Sequence, residues 1–264
     1  MTPLPTIVVQ SHELGVELSL PELPTISEDA RSWLLFRDSA GLTLRRDDGV
    51  HIRAEFVHGR SAARAREASL AGQPLAKALG IARLTAGGQR ATLVDATAGL
   101  GVDAWQAAAL GADVTLLEQN PIVHALLADA LERARECDDA RVRVLAERMA
   151  LHRVDAQTWL KACAESTSDA GPQVVYLDPM YPAQRRRARS RKGIESLHAL
   201  VPPGDDEGLL DAALLAATVR VVVKRPSGAP ALNNSFGLKS DPISAPNTRW
   251  DRYLAPLIPC RDGS

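Results

Sequence analysis

Leu93-Val94-Asp95-Ala96-Thr97-Ala98-Gly99-Leu100-Gly101 decides the fold. An apolar, β-prone run gives way to small residues and two glycines, and a helical pattern follows. A strand that enters a glycine-rich turn and then a helix aims backbone N–H groups and the positive end of a helix dipole at one point. Such a point holds a nucleotide-like ligand.

Downstream of this stretch, short apolar runs alternate with Ala/Leu-rich helical patterns, the signature of βαβ units around a parallel sheet. Strands are expected near 92–96, 113–118, 150–154, 173–178 and 219–224, and helices near 103–110, 121–136, 156–164 and 207–217. Trp250 to Leu254 reads as a late strand added near the sheet edge. Upstream the texture changes. Prolines stand at 3, 5, 21 and 24, and the alternations Gly41 to Arg45 and His51 to Val57 suggest half-buried antiparallel strands. A basic, Ala-rich segment carrying Arg60, Arg64 and Arg66 precedes a short helix at Pro74 to Leu79 and reads best as a solvated face. Ala86-Gly87-Gly88-Gln89 is a linker signal. The expectation is an α/β protein with a small α+β N-terminal domain (residues 1–90) ahead of a larger domain (residues 91–264).

Composition narrows the function classes. With 45% hydrophobic and 24% charged residues among 264, the chain can bury a proper core. A net charge of -1 supplies almost no overall field to steer a polyanion, so any such partner must be met by a local basic cluster. Cys137, Cys163 and Cys260 form neither a disulfide framework nor a Cys-x-x-Cys motif, which points to a reducing, cytoplasmic setting. No run approaches the roughly 18 apolar residues a membrane span needs, and the six histidines lack ligand-like spacing, so neither a membrane nor a metal is expected. Core packing accounts for Trp33, Trp105, Trp159 and Trp250 better than base stacking does.

Two motifs carry chemistry. Gly99-x-Gly101-x-x-Ala104, followed by Glu118 at the end of the next strand, fits an adenosine site, with Glu118 accepting the ribose hydroxyls. NAD and S-adenosylmethionine (SAM) satisfy that pattern equally. Asp95 tips the balance, because a carboxylate before the glycines repels a pyrophosphate and suits the cationic amino and sulfonium end of SAM. The second motif is Tyr176-Leu177-Asp178-Pro179-Met180-Tyr181-Pro182. An exocyclic amine on a base is a poor nucleophile, so a site must polarise its N–H bonds. Asp178 can accept one of them, the Pro179 carbonyl the other, and Tyr181 offers a face for a flipped base. Asp178, Pro179 and Tyr181 are therefore the catalytic candidates. Close behind follows a cationic run, Arg185, Arg186, Arg187, Arg189, Arg191 and Lys192, suited to RNA phosphates; Lys224 and Arg225 after an apolar strand are further candidates for that role.

Four stretches taken together, Asp95 to Gly101, Glu118 to Pro121, Val174 to Pro182 and Val221 to Pro226, resemble the bacterial small-subunit ribosomal RNA guanine-N2 methyltransferases of the RsmJ type, over residues 42–254. The resemblance implies a class I SAM-dependent fold with a mostly parallel seven-stranded sheet, SAM as cofactor, and 16S rRNA or the small ribosomal subunit as partner. It also implies cofactor contacts at Asp95, Gly99, Gly101, Val102, Asp103, Glu118, Gln119, Asp155, Ala156 and Asp178. Within that set Asp155 would take the adenine amine and Asp103 the methionine end. Two departures stand out. Val102 replaces an arginine of the family, and Glu67 to Gly72 replaces a run of glycines. Three rivals stay open from the residues themselves: an amine methyltransferase acting on DNA or protein, an NAD-dependent oxidoreductase, and a non-catalytic RNA-binding protein on a methyltransferase fold.

Overall fold

The computed structural model describes residues 7–9, 33–59, 72–166, 171–179 and 206–256. Its N-terminal part contains β1 (Ile7–Val9), β2 (Trp33–Asp38), β3 (Gly41–Arg46) and β4 (His51–Ile52), which form a four-stranded sheet in that order. β1 runs parallel to β2, and the remaining pairs are antiparallel. The alternation from His51 to Val57 yields a ladder only at its first two residues. Beyond them Glu55 turns its Oε1 onto the N–H groups of Val57 and His58, and Arg133 takes the carbonyl of Ala54, so the backbone leaves the sheet.

Next come α1 (Pro74–Leu79) and α2 (Ile81–Leu84), followed by β5 (Ala91–Asp95), α3 (Val102–Ala109), β6 (Ala112–Leu117), α4 (Pro121–Glu136), α5 (Ala140–Glu147), β7 (Met149–His152), α6 (Ala156–Glu165) and β8 (Val174–Leu177). The chain closes with α7 (Asp206–Ala216), β9 (Arg220–Pro226), β10 (Asp241–Ser244) and β11 (Thr248–Leu254). The large sheet has seven strands in the order β10-β11-β9-β8-β5-β6-β7. Every pairing from β9 to β7 is parallel, and β11 alone runs against the others, antiparallel to both β9 and β10. The late strand is thus inserted between β9 and the edge, and the edge itself is β10. That short strand escapes sequence patterning because it is four residues long and contains Pro242, which a sheet tolerates at an edge. α5 was not expected either; Asp139 starts it by accepting the Arg141 N–H.

Strand β8 is buried at every position, as a central parallel strand covered on both faces must be. One apolar cluster, including Leu93, Trp105, Val114, Tyr176 and Val222, lies on one face of the sheet, and a second, including Val94, Val175, Leu177 and Val223, lies on the other. Phe56, Leu75, Leu79 and Ile81 join the first cluster, so residues upstream of the exposed 86–90 turn pack directly into the large sheet's core. Phe56 stacks on Trp105 with ring centroids 4.4 Å apart.

Helix α4 links the two sheets. Pro121 occupies its first turn and Asn120 Oδ1 accepts the N–H groups of Ile122 and Val123, which explains its sharp start. Ile122, Val123 and Leu126 meet Trp33, Leu35, Leu42 and Leu44 of the small sheet, while Leu127, Leu131 and Ala134 face the large one. Asp129, between these faces, is buried; it pairs with Arg37 at 2.5 Å and Arg133 at 2.8 Å and accepts the Leu42 N–H. Among the described residues no helix is long and apolar enough to cross a membrane.

Candidate functional site

β5 has β6 on one side and β8 on the other, so the chain order reverses at β5, and the strand ends there open a crevice where doubly wound sheets hold their ligands. Asp95 ends β5 with its carboxylate buried, accepting the Thr97 N–H at 3.1 Å. The chain then leaves the ladder through Ala98 N–H to Leu117 O and turns at Gly99 and Gly101, both with positive φ. Gly101 has φ +73° as the residue before α3, and a Cβ there would lie 2.8 Å from Leu127 Cδ1 and 2.9 Å from Phe56 Cζ. Only glycine fits, by conformation and by space.

Asp103, in the first turn of α3, accepts the Tyr176 hydroxyl at 2.6 Å and the Lys224 ammonium at 2.7 Å. The same ammonium donates to Asp178 Oδ2 at 2.8 Å. Asp178 is the first residue beyond β8, and its N–H donates to Thr97 Oγ1 at 2.6 Å. Four segments therefore converge: the end of β5, the start of α3, the end of β8 and the middle of β9. The result is three aspartates and one lysine. Burial pushes the Asp95 carboxyl up to about 8, with the Thr97 N–H opposing and the charges of Asp103 and Asp178 adding to the rise. Burial also lifts the Tyr176 hydroxyl well above its ordinary value, helped by the same two aspartates. For Lys224, burial alone acts downward, yet Asp103 and Asp178 outweigh it and hold the ammonium above its usual range. The crevice carries an excess of negative charge, suited to a ligand end that is cationic.

The neighbouring strand end supplies Glu118, also buried, whose Oε2 accepts the Gly99 N–H at 3.1 Å and Oε1 the Asn120 N–H at 2.7 Å. Burial raises its carboxyl to about 7 despite these N–H groups. A carboxylate oxygen has two lone pairs, so acceptor capacity for a ribose diol coexists with these bonds. Gln119 is exposed beside it. Asp155 is exposed and caps α6, its Oδ1 accepting the N–H and hydroxyl of Thr158 at 2.8 and 2.7 Å, and Ala156 opens that helix. Val102, the first residue of α3, is 38% exposed.

The structure brings Asp95, Gly99, Gly101, Asp103, Glu118 and Asp178 to one crevice, with Pro179 buried after Asp178. Tyr181 and the cationic run Arg185, Arg186, Arg187, Arg189, Arg191 and Lys192 lie outside the described residues, as do Arg60, Arg64, Arg66 and residues 67–71. The two remaining RNA candidates, Lys224 and Arg225, both make contacts within the protein. Arg225 is only 3% exposed and donates to the Pro230 carbonyl, so its guanidinium is not presented to solvent. Lys224, only partly exposed, donates to Asp103 and Asp178. Sequence reasoning gave no role to Thr97 or Tyr176. Both lie inside the two motifs, but their partners are set by strand order.

A seven-stranded doubly wound sheet with one reversed strand, carrying an acidic crevice at its switch point, defines the class I SAM-dependent methyltransferases. Comparison with known proteins agrees. The family described as "Putative SAM-dependent methyltransferase" matches residues 19–255. The ribosomal RNA small subunit methyltransferase J of Thioalkalivibrio sulfidiphilus is 41% identical over 253 residues, covering 93% of this chain and 92% of that protein. Its counterpart from Marinobacter nauticus is 42% identical over 259 residues, covering 94% and 88%. A SAM-dependent methyltransferase structure from Neisseria gonorrhoeae, 28% identical, superposes with a TM-score of 0.69 and covers 96% of this chain and 97% of that one. The chain belongs to the ribosomal RNA small subunit methyltransferase J family, and SAM is its cofactor.

Proposed function

We propose that this chain is a cytoplasmic enzyme that methylates the exocyclic N2 amine of a guanine in 16S rRNA, as free RNA or within the small ribosomal subunit. The observation that carries the reading is the placement of Asp178 at the end of β8, in the same crevice as Asp95, Asp103 and the glycine turn. Family membership leaves an NAD-dependent oxidoreductase without support, and the naming of the relatives favours rRNA over DNA or protein.

The residues fit the cofactor. Asp95 and Asp103 would hold its cationic methionine end, Glu118 would accept from the ribose diol, Asp155 and Ala156 would meet the adenine, and Gln119 and Val102 would lie beside them. When bound, SAM supplies an activated methyl group on a sulfonium. The chain's work is positioning and charge. Asp178 accepts an N–H of the guanine amine and turns its lone pair toward the methyl carbon, and Pro179 offers its carbonyl to the second N–H. As the amine takes the methyl group that bound SAM would supply it would become acidic, and Asp178 would be the group placed to receive its proton. From the sequence, Tyr181 is the candidate for stacking on the base and the arginine-rich run from Arg185 to Lys192 the candidate for the phosphates.

Asp178→Ala tests this reading on naked 16S rRNA, 30S subunits and DNA, with methylated guanosines mapped by mass spectrometry. Loss of a positioned proton acceptor costs about 10²–10⁴-fold in rate, while S-adenosylhomocysteine binding should change only a few-fold. Unchanged methylation by the variant would refute the role, and methylation of DNA alone by the parent protein would refute the substrate.

A further inference from the structure

Lys224 is a candidate for RNA from sequence alone, and its surroundings give it another task. It lies in β9, immediately beside β8, and its side chain crosses toward the end of β8 on the face occupied by Val222 and Tyr176. Every neighbouring element presents a group to it. α3 presents Asp103, the residue after β8 presents Asp178, β8 itself presents Tyr176 through Asp103, the end of β5 presents Asp95, and β11 presents Trp250 as the register partner. Two of the three ammonium protons are donated to carboxylates at 2.7 and 2.8 Å, leaving little for a distant phosphate.

From the opposite side, Thr97, just beyond β5, receives the backbone N–H of Asp178 at 2.6 Å. Both strands that flank β8 thus reach over its end to the same residue: one takes the main chain, the other the side chain. Asp178 needs such holding. It stands outside the ladder, its side chain is 41% exposed, and two other aspartates crowd it. A short carboxylate in that setting would turn away from its like-charged neighbours or take up a proton.

Resting on the methyltransferase reading above, we propose that Lys224 is a positioning residue: a resident cation that, with Thr97, clamps Asp178 from both sides and fixes its carboxylate, ionised and oriented, for the target amine. It acts through Asp178 and does not touch the RNA. The raised Lys224 ammonium keeps the clamp charged throughout the working pH range.

The test compares the parent protein with Lys224→Met, which keeps the aliphatic stem, and Lys224→Arg, which keeps the charge. The Asp178 carboxyl is followed by ¹³C NMR without RNA, assigned through Asp178→Asn, and kcat and RNA affinity are measured against pH and salt. In Lys224→Met the Asp178 titration should move up by about one pH unit or more. Its kcat should fall about 100-fold at pH 7 through lost orientation of the carboxylate, with the acid limb of the profile displaced upward together with the Asp178 titration. Lys224→Arg should return most of the rate. If Lys224→Met fails to fold, Lys224→Gln, neutral but still a donor, serves the same comparison. An unmoved Asp178 titration overturns the clamp. So does a pH-independent loss accompanied by a salt dependence of RNA binding shallower by about one unit, the mark of a lost phosphate contact. A parent protein that transfers no methyl to rRNA would defeat the proposed substrate, while the Asp178 titration would still decide the clamp.

Discussion

Two clusters of buried charge sit about α4 and α3, and they are built on opposite accounts. Around Asp129, two arginines, Arg37 and Arg133, face two carboxylates, Asp129 and Glu55, and Arg133 also takes the carbonyl of Ala54. Positive and negative are matched, and each group belongs to the contact between the small sheet and α4. Around Lys224, one ammonium faces Asp95, Asp103 and Asp178. Burial keeps the proton on Asp95 below about pH 8, so two carboxylate charges face a single ammonium, and folding alone gives no reason for that surplus because each uncompensated buried charge costs free energy. The matched cluster joins parts of the protein; the unmatched one leaves a surplus of negative charge at the strand ends.

That contrast can be broken by experiment. The largest effect is expected at Asp129→Ala. Removing one member of a buried pair leaves stranded arginine charge and costs about 3–5 kcal/mol, or about 10 °C in Tm for a chain of this size. Methyl transfer per folded molecule should stay the same at low temperature; thermal unfolding and active-site titration check both halves, and a catalytic defect without destabilisation would erase the distinction. Asp103→Asn should do the reverse. Losing a charge-assisted contact of about 1.5–3 kcal/mol weakens SAM about 10- to 100-fold, and S-adenosylhomocysteine, which lacks the sulfonium charge, should lose less. Calorimetry with the two ligands reads the difference, and equal losses would show that the crevice does not recognise charge.

The smallest effect is the most direct measure of the imbalance. With its midpoint raised to about 8 from an ordinary 3.8, Asp95 holds its proton more tightly in the folded state than in the unfolded chain. Stability from this group is therefore greatest below the ordinary value and declines as pH rises toward 8. Asp95→Asn, which keeps an oxygen for the Thr97 N–H, should raise stability at pH 8.5 by at least about 1 kcal/mol, about 2–4 °C in Tm, and by less at pH 5. A gain that does not depend on pH would mean that the charge of Asp95 carries no penalty.

What could be read in the chain followed from how local each signal is. Leu93 to Gly101 announces strand, turn and helix because burial, small residues and glycine conformation all act within nine residues. Asn120-Pro121 marks the start of α4 for the same reason. α5 escaped because Arg141-Val142-Arg143-Val144 alternates like a strand, while Asp139 and the packing of Val142 and Ala146 make it helical. β10 escaped because its ladder is supplied by β11. At the site, Asp95, Glu118 and Asp178 were legible as acids at strand ends. Lys224 and Thr97 were not, since their meaning depends on β9 and β5 lying on either side of β8, a fact of strand order that no local pattern encodes.

Gly101 has one more consequence. The two side chains that leave it no room for a Cβ come from different parts of the chain, Leu127 from α4 and Phe56 from the segment that follows the small sheet. Phe56 also lies flat on Trp105, one turn into the helix that the glycine opens. The floor of the cofactor turn is therefore laid by residues that precede the exposed 86–90 turn. A polypeptide begun at Ala91 would retain every strand of the large sheet and yet lose the backing of its glycine turn, with the Trp105 indole laid open to water.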